Sequence, residues 1–297
     1  MVKEQEKAII GAYPNTYTFT KALAERMIKK LHGNLPTVIV RPSIVTSTYE
    51  DPFRGWTDTI AASGFQSMMV MNGLLHFVRT NKETVLDLIP CDFVSNQILV
   101  QTVYSAKQNI PRLIVVHATT SARNPVKLTR MMSNATEIAR YTQFYAKPPN
   151  SKVWVYPVES LRLWKFLMYM SMEFPLLILE AKHRVSGNEL KMMKAAKTRL
   201  FAQRTINTYA GFDYFTSHTW SYLSNLSQQA WNMMSVEEQK EFNLDVTTID
   251  NDLARSDFIF GIRRFFFKED VLPPESQFQQ LLAKDQIEFF HDAKIAY

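Results

Sequence analysis

The chain has 297 residues, of which 46% are apolar, and it carries a formal net charge of +6 with a pI near 9.2. This apolar content is ample for a sizeable core, so the composition excludes a disordered chain. The positive charge forms no concentrated basic tract, so we expect no nucleic acid partner. A single cysteine excludes an internal disulfide and favours an intracellular protein, and six scattered histidines without ligand spacing predict no metal site.

The first predicted element is a helix from about Tyr17 to His32, which sets Tyr17 and Lys21 four residues apart. This spacing places both side chains on one helical face. A lysine ammonium beside a tyrosine stabilises the phenolate, so the pair can deliver a proton to a developing alkoxide. A bare match of this kind also arises by chance on solvent-facing helices, so the flanking sequence has to support it.

The following segments predict a parallel α/β sheet. TVIV at residues 37–40 and LIVVHAT at residues 113–119 are typical of buried strands. Between them, Asp92 is a candidate N-cap of a helix whose apolar positions spread widely enough to predict burial on more than one side. Beyond residues 146–152 the strand signals fade and helical patterns continue. We therefore predict two domains, residues 1–150 and 151–297.

Six segments give the chain a specific resemblance. In chain order they are YPNTYTFTKALAE, VRPSIV, DPFRGWTD, NELKMMKAAKTRL, FDYFTSHTW and FGIRRFFFKED. Together they resemble the alcohol-forming fatty acyl-CoA reductases, a family of extended short-chain dehydrogenases. The resemblance implies an α/β fold class, with a partial Rossmann-like parallel sheet followed by a mainly α-helical C-terminal domain.

The resemblance also implies a reaction and the residues that perform it. In the family, NADPH hands hydride to the thioester of a long-chain fatty acyl-CoA and then to the aldehyde, which yields a primary alcohol. Tyr17 would donate the proton, and Lys21 would support Tyr17 and hold the cofactor ribose. The backbone at Pro42, Ser43 and Ile44 would line the nicotinamide. The family works at peroxisomal or endoplasmic reticulum membranes facing the cytosol, so a membrane surface is an expected partner.

Three methionines in the segment at residues 64–78 have two interpretations. Met68, Met69 and Met71 are flexible and apolar, which suits a tunnel for an alkyl chain of variable length. Ordinary core packing is the simpler interpretation. The position of this segment between the cofactor strand and LDLIPCD keeps the substrate hypothesis open.

Two later segments have an unusual composition, one mostly apolar and the other a mixture of charged and aromatic residues. Residues 161–179 are apolar but are interrupted by Lys165, Glu173 and Pro175, so a buried helix is favoured over a membrane contact and over a bilayer span. The run RRFFFKED predicts a helix end whose phenylalanines pack inward while Lys268 and Glu269 face water. A membrane-surface or coenzyme A contact is its alternative.

The eight glycines contain no pair with the spacing of a phosphate-binding loop. We therefore expect little reductase activity from these 297 residues alone. One interpretation is an incomplete portion of a reductase. The alternative is a non-catalytic remnant that binds lipid or a partner, which predicts pairing with an intact reductase or a second copy.

Overall fold

The structure, a computed structural model, describes residues 10–60, 62–108, 113–141 and 153–269. The strands are β1 (Thr37–Pro42), β2 (Ile44–Thr46), β3 (Phe77–Arg79), β4 (Leu88–Pro90), β5 (Leu113–Ala118) and β6 (Tyr156–Val158). The α-helices of the first half are α1 (Thr16–Leu31), α2 (Ser63–Met71), α3 (Cys91–Lys107) and α4 (Leu128–Tyr141). The later helices are α5 (Leu161–Met168), α6 (Phe174–Val185), α7 (Glu189–Gly211), α8 (Asp213–Thr216), α9 (Asn225–Asn232), α10 (Val236–Glu241) and α11 (Asn251–Gly261).

The three strand pairs formed by the described residues are all parallel, which confirms the predicted α/β class. Strand β1 pairs with β5, β2 with β4, and β3 with β6. In the longest pair Val40 lies opposite Val116, and both strands end together, at Pro42 and Ala118. The carboxyl ends of β1 and β5 therefore share one edge, the usual position of a ligand site in a parallel sheet.

Strand β6 lies beyond the predicted domain boundary and was not expected. It pairs with β3, and the nearby Trp164 indole donates a hydrogen bond to the Phe77 carbonyl at 3.1 Å. A three-residue strand with Pro157 at its centre has too little pattern to be recognised in the sequence. The segment at which the boundary was predicted, residues 146–152, lies outside the described residues, so the boundary at residue 150 stays a prediction.

The main hydrophobic core joins both halves of the chain. Leu75 and Leu128 from the first half are fully buried beside Trp164, Met168 and Ile262 from the second. Burial of a side chain of this size contributes about 1.5–3 kcal/mol. The helical second half therefore packs on the sheet region through a shared core.

Helix α3 differs from its prediction in two ways. Its apolar residues Ile98, Leu99 and Val103 are about half exposed, so burial on more than one side is wrong for the described structure. Asp92 is not the N-cap, because the helix begins at Cys91 after Pro90. The Asp92 carboxylate instead accepts hydrogen bonds from the backbone of residues 49–51, at 2.8–3.2 Å, and fixes the loop after β2.

The apolar segment 161–179 forms helix α5, a π-helical turn (Tyr169–Glu173) and the start of α6. Trp164 and Met168 are buried in the core, whereas Leu163 and Phe166 are at least half exposed, so the predicted core helix is confirmed for one face. Among the described residues, no helix combines the length and the apolar character that a bilayer span requires.

Helices α6 and α7 form a hairpin that is joined by a polar network. Arg199 pairs with Glu180 at 2.9 Å and lies 3.8 Å from Glu173, which also accepts a hydrogen bond from Gln203. Met172 before α6 and Ile206 late in α7 pack against the main core, and none of the residues between them belongs to that core or packs against it. The hairpin therefore extends away from the core.

The DPFRGW loop is held against α11 by close backbone contact. A Cβ atom added to Gly261 would overlap the Gly55 carbonyl oxygen, and Gly55 itself has φ +77°. Beside this contact, Arg54 pairs with the buried Asp257 at 2.8 Å. Two separate motifs of the sequence thus form one packed unit.

The predicted exposure of Glu269 is wrong. The π-helical turn after α11 (Ile262–Phe266) buries Arg263, whose guanidinium pairs with Glu269 at 3.0 Å. The inward packing of phenylalanines is confirmed for Phe267, which contacts the main core, whereas Phe266 is 40% exposed.

Candidate active site

Helix α1 presents the predicted proton-donating pair to solvent. Asn15 caps the helix and accepts a hydrogen bond from the Thr18 backbone at 2.9 Å. Two residues after this cap, Tyr17 is 65% exposed, and the Lys21 ammonium lies 5.8 Å from the centre of its ring. The structure therefore brings the two side chains together on one face, as their spacing predicts.

An ion pair connects this helix to the end of β1. Glu25 lies two turns after Tyr17 on the same face, and its carboxylate accepts two hydrogen bonds from Arg41, one of them at 2.8 Å. The hydrogen bond from Arg41 lowers the pKa of Glu25 below its ordinary value, although partial burial opposes the shift. The pair joins the helix that contains Tyr17 and Lys21 to the carboxyl end of β1.

Glu25 and Arg41 were not singled out from the sequence. A signal was available, since Glu25 follows Lys21 by the same four-residue interval that separates Lys21 from Tyr17. Arg41 directly precedes the predicted cofactor residue Pro42, but nothing local to the strand indicates its partner.

The residues after β1 have features that fit a bound nicotinamide. The Ser43 amide donates to the Ala118 carbonyl at 3.1 Å, which joins the ends of β1 and β5. The Ser43 hydroxyl oxygen is buried and has no hydrogen-bond partner among the described residues, so it can bond to a ligand. Pro42 is exposed at this edge, and Ile44 packs against the main core.

A second carboxylate stabilises the same edge. Asp87 is 3% exposed and accepts hydrogen bonds from the backbone of Thr120 and Ser121, each at 2.9 Å, and from the Thr120 hydroxyl at 3.0 Å. This arrangement ties the chain after β5 to the start of β4. The LDLIPCD motif therefore supplies positioning carboxylates, Asp87 here and Asp92 at the loop after β2.

The three methionines of the predicted tunnel lie in the core. Met68, Met69 and Met71 belong to helix α2, and each is 4% exposed. They pack in the cluster that contains Leu75 and Trp164. This location is what the core interpretation predicts, and the role of the methionines in substrate binding stays a prediction.

The ionisation of Cys91 makes it a poor nucleophile. Burial, followed by the nearby Asp92 charge, raises the pKa of its thiol to about 11, so the thiolate is scarce at neutral pH. Within the described ranges, no three histidine, cysteine or carboxylate side chains cluster as metal ligands do.

Comparisons with known proteins match both halves of the chain. Two family models, both described as male sterility protein, match residues 1–98 and 171–269, and the first describes an NAD-binding domain. The chain is 27% identical over 273 residues to fatty acyl-CoA reductase 2 of Mus musculus, covering 91% of this chain and 51% of that protein. It is 27% identical over 275 residues to fatty acyl-CoA reductase 1 of Gallus gallus, and this match also covers 91% of this chain and 51% of the relative.

The match to a third relative has the same extent. Fatty acyl-CoA reductase 1 of Rattus norvegicus is 28% identical over 279 residues, which are 91% of this chain and 51% of the relative. The chain therefore spans about half the length of these relatives. With both matched models and these relatives in agreement, the chain belongs to the family of male sterility proteins and fatty acyl-CoA reductases.

Proposed function

We propose that this chain supplies the proton donor and part of the cofactor site of a reductase that converts long-chain acyl-CoA to a primary fatty alcohol with two NADPH. The observation that carries the proposal is the Tyr17 and Lys21 pair on helix α1, and the ion pair of Glu25 and Arg41 joins this helix to the carboxyl end of β1. The names of the relatives supply the substrate class.

Each residue has a role in this reaction. Two NADPH, bound in turn, would each supply one hydride, the first to the thioester carbon and the second to the aldehyde carbon. Tyr17 donates its hydroxyl proton to the carbonyl oxygen in each step and recovers a proton from water, which its exposure allows. Between the two steps the C–S bond of the hemithioacetal breaks, and coenzyme A leaves as the thiol with the hydroxyl proton. The Lys21 ammonium stabilises the Tyr17 phenolate until it regains a proton, and it also binds the ribose hydroxyls. Ser43 and its neighbours Pro42 and Ile44 line the nicotinamide.

The stoichiometry gives a direct test of this proposal. In protein isolated from its own cells, we expect two NADPH to be oxidised for each alcohol formed from palmitoyl-CoA, because an acyl-CoA must accept two hydrides to become an alcohol. NADPH loss is followed by absorbance and the alcohol by mass spectrometry. A ratio of one, with aldehyde as the product, would contradict the alcohol-forming reaction, and faster turnover with NADH would contradict the cofactor assignment.

We also propose that the protein works at a membrane surface, through the hairpin tip (residues 182–194). Support comes from Val185, Leu190 and Met193, which are 90%, 82% and 65% exposed. Exposed cations surround them, and these are Lys182, Arg184, Lys191 and Lys194. The rise of α7 places Leu190 about 24 Å from Ile206 at the base of the hairpin. Such a tip suits insertion of apolar side chains between anionic headgroups.

Vesicle sedimentation tests this membrane contact. The double variant with Val185→Ser and Leu190→Ser is expected to bind phosphatidylserine-containing vesicles about tenfold more weakly, since partial burial of two apolar side chains is lost. Val236→Ser is the matched control, because Val236 is 77% exposed but is followed by two glutamates. Equal binding by the double variant would contradict the proposal. The peroxisomal or endoplasmic reticulum location stays a prediction.

A further inference from the structure

One continuous helix links the main core to the hairpin tip. Helix α5, the π-helical turn (Tyr169–Glu173) and α6 follow one another directly, and the residues at both junctions have helical dihedral angles. The three segments therefore form a single long helix (residues 161–185). At the usual rise per residue, this long helix spans about 37 Å.

The inner face of the long helix is covered by the rest of the protein. Trp164 and Met168 are buried in the main core, and Met172 packs against that core. Farther along, Glu180 is buried beside α7, where it pairs with Arg199 at 2.9 Å. The protein's own residues thus satisfy this face.

The outer face of the long helix carries a row of apolar side chains. They recur every three, four or seven residues, which is the helical period, so they lie on one side of the helix. Together they form the outer stripe, which is Leu163, Phe166, Met170, Phe174, Ile178 and Val185. All of them are exposed except the half-buried Phe174. Single exposed apolar residues are common on protein surfaces, but a contiguous row of this length marks an interaction surface.

The exposed charges of the long helix are all positive. Its two carboxylates, Glu173 and Glu180, lie 3.8 Å and 2.9 Å from Arg199 of α7. The exposed cations are Arg162, Lys165, Lys182 and Arg184, of which Arg184 also reaches Glu180 at 3.4 Å. An apolar row flanked by cations fits a surface of anionic headgroups above acyl chains. A second copy of the stripe would instead bring like charges together, which disfavours association.

We propose that the long helix lies flat on an anionic lipid surface, with the outer stripe among the acyl chains and the cations at the headgroups. The inference rests on the membrane contact proposed for the hairpin tip and extends that contact along the helix to Leu163. Val185 belongs to both the tip and the stripe, so the two surfaces are continuous.

Fluorescent labels on introduced cysteines test this orientation without turnover. Phe166→Cys and Ile178→Cys are each labelled with an environment-sensitive fluorophore, and the labelled 297-residue chain is mixed with vesicles that contain phosphatidylserine. The emission of both labels is expected to rise about twofold or more, because each label leaves water for the acyl region. Lipids with a nitroxide on the acyl chain should then quench both labels. The native Cys91 labels poorly, since burial raises the pKa of its thiol to about 11.

Two further labelled positions complete the comparison. Val236→Cys is the matched control, because Val236 is also exposed but is followed by two glutamates, and its label is expected to keep its emission. Val185→Cys reports on the hairpin tip. Should Phe166→Cys lower the melting temperature, Leu163→Cys provides the same comparison, since Leu163 is half exposed on the same stripe.

Four results would overturn the inference. A response at Val185 without one at Phe166 and Ile178 would limit the contact to the tip and leave the membrane proposal standing. No response at any of the three positions would reject both. Equal responses with vesicles of phosphatidylcholine alone would contradict the anionic surface. A Phe166 label that is shielded without vesicles, and more so at higher protein concentration, would show that a second copy covers the stripe.

Discussion

Tyr17→Phe is expected to lower kcat/KM for acyl-CoA reduction by about 10²–10⁴, the usual contribution of a positioned general acid. Phenylalanine keeps the ring and removes the proton that the carbonyl oxygen needs. Tyr17 is 65% exposed, so the free energy of unfolding should change by less than about 0.5 kcal/mol. The rate of alcohol formation by protein from its own cells measures the first effect, and urea unfolding measures the second.

Tyr13→Phe is the matched control for the loss of a hydroxyl. Tyr13 lies four residues before Tyr17, and its ring packs edge-on against Phe19 with the centroids 5.7 Å apart. That contact does not require the hydroxyl, so the rate should stay within about twofold of the wild type, as for a surface change away from the chemistry. If Tyr17→Phe also kept its full rate, another group would have to donate the proton.

Gly261→Ala is expected to destabilise the protein by about 3 kcal/mol or more, at the upper end of overpacking effects. The added Cβ would meet the Gly55 carbonyl oxygen, which is backbone and cannot rotate away as a side chain does. Relief requires a shift of the DPFRGW loop, which would also disturb the pair of Arg54 and Asp257. Urea unfolding followed by tryptophan fluorescence measures the loss.

Gly211→Ala is the control for a helical glycine. Gly211 ends α7, and no atom lies within 4 Å of an added Cβ. Alanine there should be neutral or stabilising by up to about 1 kcal/mol, because it restricts the unfolded chain. Equal stability of the two variants would show that the approach of Gly55 to Gly261 is not tight.

The local pattern of residues was sufficient to predict helix α1 and strand β1, which contain the residues of the proposed chemistry. The apolar spacing after Tyr17 predicts a helix from about 17 to 32, and the structure has α1 at Thr16–Leu31. The β-branched run after Pro36 predicts a strand, and the structure extends it to Pro42. These predictions succeed because helical and strand periods depend on neighbouring residues alone.

Features that depend on distant residues were not predictable in this way. The exposure of Ile98 and Leu99 on α3 depends on what covers that face, and apolar composition cannot reveal it. The partner of Arg41 is Glu25, sixteen residues earlier, and the contact of Gly55 with Gly261 spans most of the described chain. The burial of Arg255 arises from the packing of α11 beside α2, which no local signal specifies.

The proposed role of Tyr17 and Lys21 in making fatty alcohol is tested most directly on the protein from its own cells. An antibody to the hairpin captures the protein, which is then incubated with palmitoyl-CoA and NADPH, and the products are identified by mass spectrometry. The account predicts hexadecanol from the wild type and a loss of at least a hundredfold with Tyr17→Phe, in line with a general acid. Captured protein that retains acyl-CoA but forms no alcohol would contradict the account and favour a lipid-binding or partner-binding role.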